Sequence, residues 1–280
     1  MLPYLEPPTW GPITSFGVLA MVGLIFAITA SWRHGEKLGL DPARLHGMAL
    51  HCGIGAILGA HYVDLFLYQP GWSARPDAVW RFLNPFAGIS SYGGLLGGTL
   101  GFLVFAHRNR IARLRFADVG ALGVVVFLVF GRAGCASVHD HVGVATDFAL
   151  AVDFPAGNPA GLVGPHHDLG LYEMALWLVL LAISIIMLRT PRPAGWYVGF
   201  IAVGYAVPRF FLDLLRPATS DPRYAGLTPA QWGCIATVLA GLAVFAWIVR
   251  HREPPPPYLP ATPWRVHLRD LVRWRPRSAR

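Results

Sequence analysis

Arg132 and Arg209 each lie inside an apolar run that contains no other basic residue. A guanidinium at bilayer depth is expensive and seldom tolerated without a partner, so two of them argue for a polar site built to hold an anion. Other groups capable of chemistry occupy similar runs: His61 and Asp64, Tyr92, Tyr172 and Glu173, Tyr205 and Asp213. Arg209 and Asp213, four residues apart, also have the spacing of a plain helical ion pair. His139, Asp140, His141, His166, His167 and Asp168 cluster further along. Neither histidine pair has the i, i+4 spacing of a helical metalloprotease, so no metal site is expected, and no cofactor is called for. Cys52, Cys135 and Cys234 are odd in number and scattered through apolar segments, which suits small packing residues better than a disulfide framework.

The elements that must position these groups follow from composition. Of 280 residues, 54% are hydrophobic and only 14% charged, which no ordinary soluble domain of this length shows. Seven segments approach the ~20 apolar residues that a bilayer requires: 12–31, 48–68, 88–107, 117–136, 169–188, 195–215 and 229–250. No strand alternation competes with them, so the expected fold class is all-α, a polytopic membrane protein with seven transmembrane helices. Residues 1–11 lack Lys and Arg and carry Glu6 and three prolines, so the first span reads as a retained helix and not a signal peptide.

Charge orients the bundle. Arg33, Lys37 and Arg44 fill the first loop, Arg108, Arg110, Arg113 and Arg115 the third, Arg189 and Arg192 the fifth, and eight arginines run from Arg250 to Arg280. The opposite side holds only Arg75, Arg81, Arg216 and Arg223. The positive-inside rule then puts the N-terminus outside and the C-terminus in the cytoplasm. This divides the chain into a transmembrane domain, 1–250, and a basic, Pro-rich cytoplasmic tail, 251–280. The net charge of +8 reflects that tail facing anionic membrane lipids, and no nucleic-acid partner is expected. Within the tail, Trp264, Leu268, Leu271 and Val272 share a helical face, as in an interfacial helix; a disordered basic tail is the alternative.

With orientation assigned, the polar residues fall on one side. His61, Tyr92, Arg132, Tyr172, Glu173, Tyr205, Arg209 and Asp213 all lie toward the outer ends of their helices, whereas the inner half is nearly clean apart from His51. Two guanidiniums flanked by carboxylates and phenols, open to the outer leaflet, suit a phospholipid headgroup, because Arg binds phosphate through two parallel hydrogen bonds. The run Ser91-Tyr92-Gly93-Gly94-Leu95-Leu96-Gly97-Gly98 with Gly101 contains small-xxx-small pairs that bring helix backbones close. Gly93 and Gly94 would alternatively leave room beside Tyr92 for an acyl chain or a peptide. The outer loop 137–168 has no basic residue, is rich in Gly, Pro and Asp, and is long enough to cover a site as a lid.

Taken together, these residues resemble the bacterial prolipoprotein diacylglyceryl transferases across all seven spans. The resemblance rests on Gly59 and the Tyr-Val stretch after it, Ser91 through Gly97, Gly131-Arg132-Ala133-Gly134, Pro165-His166-His167 leading to Leu171-Tyr172-Glu173, Gly204-Tyr205 through Arg209, Asp213 and Arg216, and Gln231. It implies an inner-membrane transferase that moves the diacylglyceryl group of phosphatidylglycerol onto the cysteine thiol of a prolipoprotein lipobox, releasing glycerol phosphate. Arg132 and Arg209 fall on the family's two arginines and would hold the phosphate. Tyr92 and Asp140 would join them in catalysis, and His61, Gly93, Gly94, Tyr172, Glu173, Tyr205 and Asp213 would line the substrate site. The chain departs from the family's pattern at several of these positions. Tyr92 replaces the usual histidine, Cys135 an asparagine, His139-Asp140 a Gly-Glu pair, Phe16 a tyrosine, His61 an arginine, and Asp213 a longer acid. A phenol with reference pKa near ~10 is a poor base for a thiol. His61 or His139 could substitute, the guanidiniums could make a base dispensable, or the chain could be a re-purposed or inactive lipid-binding paralogue of the same fold.

Overall fold

A computed structural model describes residues 1–260 apart from 12, 86 and 87; the interfacial helix expected around 264–273 lies outside the described residues. The chain opens with the short strands β1 (Leu2–Pro3), β2 (Thr9–Trp10) and β3 (Ile13–Thr14), then α1 (Ser15–Lys37) and α2 (Pro42–Val63). A π-helical turn, Asp64–Tyr68, extends α2, and the short α3 (Ala78–Leu83) precedes α4 (Ser91–Asn109) and α5 (Arg113–Val138). Strands β4 (Val142–Ala145), β5 (Val152–Phe154) and β6 (Gly164–Asp168) follow, and then α6 (Leu169–Met187), α7 (Trp196–Leu212, continued by a 3-10 turn to Leu215) and α8 (Pro229–His251).

Capping chemistry sets where the helices start. Thr14, Asp41, Ser90, Asp168 and Thr228 are N-caps whose side-chain oxygens accept backbone N–H bonds, and Pro42 and Pro229 occupy first-turn positions where no donor is lost. The start of α7 is capped from a distance: buried Asp118 of α5 accepts from the Gly195 and Val198 amides at 2.7 and 2.9 Å. That single carboxylate fixes α7, and with it Arg209, against the helix that carries Arg132.

Among the described residues, six helices are long and apolar enough to cross a membrane: α1, α2 with its π turn, α5, α6, α7 with its 3-10 turn, and α8. Most of their apolar surface faces outward, with Met21, Ile25, Phe26, Leu50, Leu239 and Val249 all exposed, as in a multi-pass membrane protein. The expected third span forms as the helix α4 but is not among the six. Glycine fills five of its positions, at 93, 94, 97, 98 and 101, and lowers its hydropathy. Those glycines are consumed in packing. A Cβ at Gly55, Gly59, Gly93, Gly97 or Gly101 would collide with a backbone carbonyl of the opposing helix, so α2 and α4 touch backbone to backbone.

A wholly α-helical chain is not what the structure contains. The loop 137–168 folds into a sheet of order β1-β5-β6-β4, in which the N-terminal β1 pairs parallel with β5, and β6 runs antiparallel to both β5 and β4. Its strands are two to five residues long, too short to carry a readable alternation. The sheet adjoins the C-terminal end of α5 and the N-terminal end of α6, and the polar helix ends gather beneath it.

Candidate active site

Arg132 lies near the C-terminal end of α5, Glu173 in the first turns of α6, and Arg209 near the C-terminal end of α7. Successive helices run in opposite senses, so all three meet at one level. Glu173 is the hub and is 0% exposed, between Arg132 at 2% and Arg209 at 4%. Its Oε2 lies 3.1 Å from Arg132 Nη2 and accepts the Tyr205 hydroxyl at 2.9 Å. Its Oε1 lies 3.3 Å from Arg209 Nε, an ion pair in which neither atom has hydrogen-bond alignment. Arg209 Nη1 donates to Asp213 Oδ1 at 2.8 Å, and the other oxygen of Asp213 accepts from Thr228 Oγ, which also caps α8. Two guanidiniums therefore face two carboxylates, and the buried charges balance. Balance is what makes such burial tolerable, since one unpaired charge there would cost several kcal/mol, on the order of 3–5.

Arg132 distributes its remaining donors across neighbouring elements. Its Nη2 donates to Ser91 Oγ of α4 at 3.0 Å, and its Nη1 lies 3.8 Å from Cys135 Sγ and 3.4 Å from His141 Nε2. The guanidinium is thus gripped by α4, α5, α6 and the turn after α5. Beneath it, Tyr205 stacks between Trp177 at 4.3 Å and Tyr92 at 6.3 Å, and Leu122, Val125 and Leu180 of the core hold these rings in place. The Tyr92 hydroxyl is 2.7 Å from Cys234 Sγ of α8, beside Gly233, where a side chain would strike the Tyr92 ring.

Of the residues expected at a site, Arg132, Arg209, Glu173, Tyr205 and Asp213 come together, with Tyr92 stacked beside them. Asp140 reaches the group through His141, whose Nδ1 it holds, and through Cys135, which it adjoins. Four others lie elsewhere. Buried His61 bonds the Phe82 carbonyl of α3 at 3.2 Å and rests against Tyr62. The Tyr172 hydroxyl meets His167 Nδ1 at 3.0 Å and the Leu150 carbonyl at 3.4 Å, on the sheet side. Gly93 is closed against Gly59 and Val63 of α2, so no acyl chain or peptide can lie against it on that face, and Gly94 makes ordinary contact with Ala56 and Ala60. The cysteines expected as mere packing also need correction, because Cys135 touches Arg132 and Cys234 holds Tyr92. Ser91, Thr228 and His141 are contributors that the charge pattern did not single out. The i, i+3 spacing of Arg132 and Cys135 was the available signal for the thiol.

The sheet bears on the cluster from above. His139, in a left-handed turn at φ 49°, directs Nδ1 to Asp168 at 2.7 Å and Nε2 to the Leu5 carbonyl at 3.2 Å, and Tyr4 stacks on its ring at 4.8 Å. Both partners accept, so the ring is satisfied as an imidazolium. The hydrogen bond to Asp168 accordingly raises its pKa, against the opposing effect of burial. His167 is pushed the other way by burial. Cys135, Asp140 and His141 bring potential ligand atoms within 4.8 Å of one another. The Arg132 guanidinium already contacts two of the three, so a cation placed there would face a fixed positive charge.

The model of the prolipoprotein diacylglyceryl transferase family matches residues 9–247. Proteins named phosphatidylglycerol–prolipoprotein diacylglyceryl transferase are similar along most of the chain. The one from Vibrio vulnificus is 31% identical over 252 residues, covering 85% of this chain and 88% of that protein. That from Chromohalobacter salexigens is 28% identical over 236 residues, covering 83% and 86%. That from Roseobacter denitrificans is 33% identical over 198 residues, covering 66% and 65%. A family match spanning five of the six candidate spans in full and nearly all of α8, and enclosing every member of the buried ion cluster, means that this chain belongs to the prolipoprotein diacylglyceryl transferase family.

Proposed function

We propose that the protein transfers the diacylglyceryl group of phosphatidylglycerol to the cysteine thiol of a lipobox in a prolipoprotein signal peptide, forming a thioether and releasing glycerol phosphate. The observation that carries this reading is the Arg132–Glu173–Arg209 bridge, held by three helices within a chain of this family. Phosphate is the leaving group. A lipid phosphodiester carries one negative charge and its monoester product two, so guanidiniums stabilise the product-like transition state more than the bound lipid. Glu173 and Tyr205 preset the two forks, and Ser91 and Asp213 hold their outer edges. Lipid phosphate would enter by taking over guanidinium donors from these partners, and the charge balance of the resting cluster keeps it stable until then.

The topology belongs to the same reading. Counting α4 as a span gives seven, with the N-terminus outside, the basic loops and tail in the cytoplasm, and the ion cluster beneath the outer leaflet of a bacterial inner membrane. A site at that depth meets both a lipid headgroup and a secreted precursor still anchored by its signal peptide. The same reading divides the chain near residue 250 into the transmembrane domain and the basic tail, and α8 ends at His251.

Purified protein in phosphatidylglycerol nanodiscs, incubated with a lipobox peptide, is expected to yield a diacylglyceryl thioether peptide by mass spectrometry together with free glycerol phosphate. The second reading is an inactive lipid-binding paralogue, favoured by the Tyr92 hydroxyl being engaged with Cys234 and so unsuited to act as a base. It predicts saturable phosphatidylglycerol binding with no product across several anionic lipids, a result that would end the transferase reading.

A further inference from the structure

Transfer to a thiol needs a proton acceptor, and the hydroxyl at position 92 is tied to a sulfur. We infer that His141, oriented by Asp140, is the catalytic base that takes the proton of the acceptor thiol. The inference rests on the transfer reaction proposed above. His141 follows the left-handed turn that ends α5 and immediately precedes β4, and its carbonyl accepts from the Leu169 amide at 2.9 Å, fastening it to the start of α6. Its Nδ1 contacts Asp140 Oδ1, and its Nε2 lies 3.4 Å from Arg132 Nη1. A carboxylate only accepts and a guanidinium only donates. The two contacts together therefore admit one neutral tautomer, with the proton on Nδ1 and the lone pair on Nε2. That lone pair is aimed at the guanidinium proposed to hold the lipid phosphate.

Among the described residues no other histidine contacts either guanidinium: both nitrogens of His139 face acceptors, His61 is turned to the Phe82 carbonyl, and His166 and His167 direct Nδ1 to the Gly164 carbonyl and the Tyr172 hydroxyl. His141 is also accessible. Its side chain is 22% exposed and that of Asp140 41%, whereas the side chain of Arg132 is 3% exposed, so a peptide can reach the imidazole while lipid phosphate occupies the deeper guanidiniums. The titratable groups around it are Arg132 and Cys135 of α5, Glu173 of α6, Asp140 of its own turn, and the Asp168–His139 pair where β6 meets α6.

The step balances. The thiol proton passes to Nε2, and the sulfur lone pair attacks the glyceryl methylene carbon bonded to the phosphate oxygen. A C–S bond forms, the C–O bond breaks, and its electron pair leaves on that oxygen. Glycerol phosphate departs with one more negative charge than the diester carried, against Arg132 and Arg209. The imidazolium, stabilised by Asp140, then returns the proton to the phosphate monoester or to water. A free thiol, with pKa near ~8.5, is only a few per cent ionised at neutral pH, so a positioned base has a clear task. Asp140 acts through His141 and is a positioning residue.

The full chain in phosphatidylglycerol nanodiscs provides the test, with peptides carrying either cysteine or the more acidic selenocysteine. His141→Gln is expected to lower kcat with the cysteine peptide by about 10²-fold or more, to flatten the acid limb of the pH–rate profile, and to regain most of the rate with the selenol. Asp140→Asn removes the carboxylate that holds the tautomer, and a displaced acid limb is expected even if the glutamine variant fails to assemble. Wild-type turnover and an unmoved acid limb in these variants, or equal loss with both peptides in a variant that melts and binds lipid normally, would overturn the inference alone. Absence of product from the wild type would overturn the transfer reading and this inference with it.

Discussion

Glu173 is the residue on which the site depends, because it neutralises Arg132 through one oxygen and Arg209 through the other. Glu173→Gln would keep the shape but leave two buried guanidiniums facing each other across a neutral amide. We expect destabilisation of about 3–5 kcal/mol, read as a fall in melting temperature in detergent, and an unchanged melting point would contradict the hub role. The ionic core of this cluster and the phenol that joins it were legible in the sequence, since Arg132, Arg209, Glu173, Asp213 and Tyr205 stand out as polar residues in apolar runs. Its small hydroxyls and thiols were not. Ser91, Cys135, Thr228 and Cys234 are ordinary inside helices or at their caps, and their role lies in partners that adjacency in sequence does not reveal. His141 was visible only as one of several histidines, and it took the folded turn to aim its Nε2 at Arg132.

Helix α4 shows how an element can be read correctly in type and less surely in role. Its glycines lower its apolar content while letting its backbone lie directly on α2. Gly97→Ala would gain about 1 kcal/mol of helix propensity and lose more, about 1–3 kcal/mol, because the new methyl meets the Gly55 carbonyl. The net expectation is a lower melting temperature, whereas Gly53→Ala, where a methyl meets nothing within 4 Å, should be neutral or stabilising. Equal behaviour of the two would contradict backbone packing. The sheet is the element the sequence concealed, since three-residue strands and a parallel partner from the N-terminus leave no local pattern. Its link to α5 is the His139–Asp168 pair, in which the pKa of His139 is raised. A raised folded-state pKa gives stability that is complete below the unfolded value of about 6.5 and lost as pH climbs through the folded one. The melting-temperature advantage of wild type over His139→Gln should therefore be largest below about pH 6.5 and shrink above it, and a constant difference would show that the ring is held as a neutral group.

On the scale of the whole molecule, alternating helix direction gathers the ends of α5, α6 and α7 into one ion cluster beneath the sheet, with their starts or ends pinned by Asp118, Asp168 and Thr228. Hydropathy predicted the helical bundle, because it is a property of long segments. The exact span count depended on α4, where packing and hydropathy pull the composition in opposite directions. The membrane-embedded arginines connect the bundle to its chemistry, and their geometry is more specific than their charge: Arg132 serves Ser91 and Glu173 from one nitrogen and His141 from another in one planar fork, a geometry an ammonium does not have. The most direct measurement is therefore the single-turnover rate of thioether formation and glycerol phosphate release at saturating phosphatidylglycerol, for wild type and for Arg132→Lys and Arg209→Lys. Phosphate held by the two guanidiniums predicts that both products appear in equal amounts and that each substitution slows both by about 10²-fold or more, whereas wild-type rates in both lysine variants would contradict it.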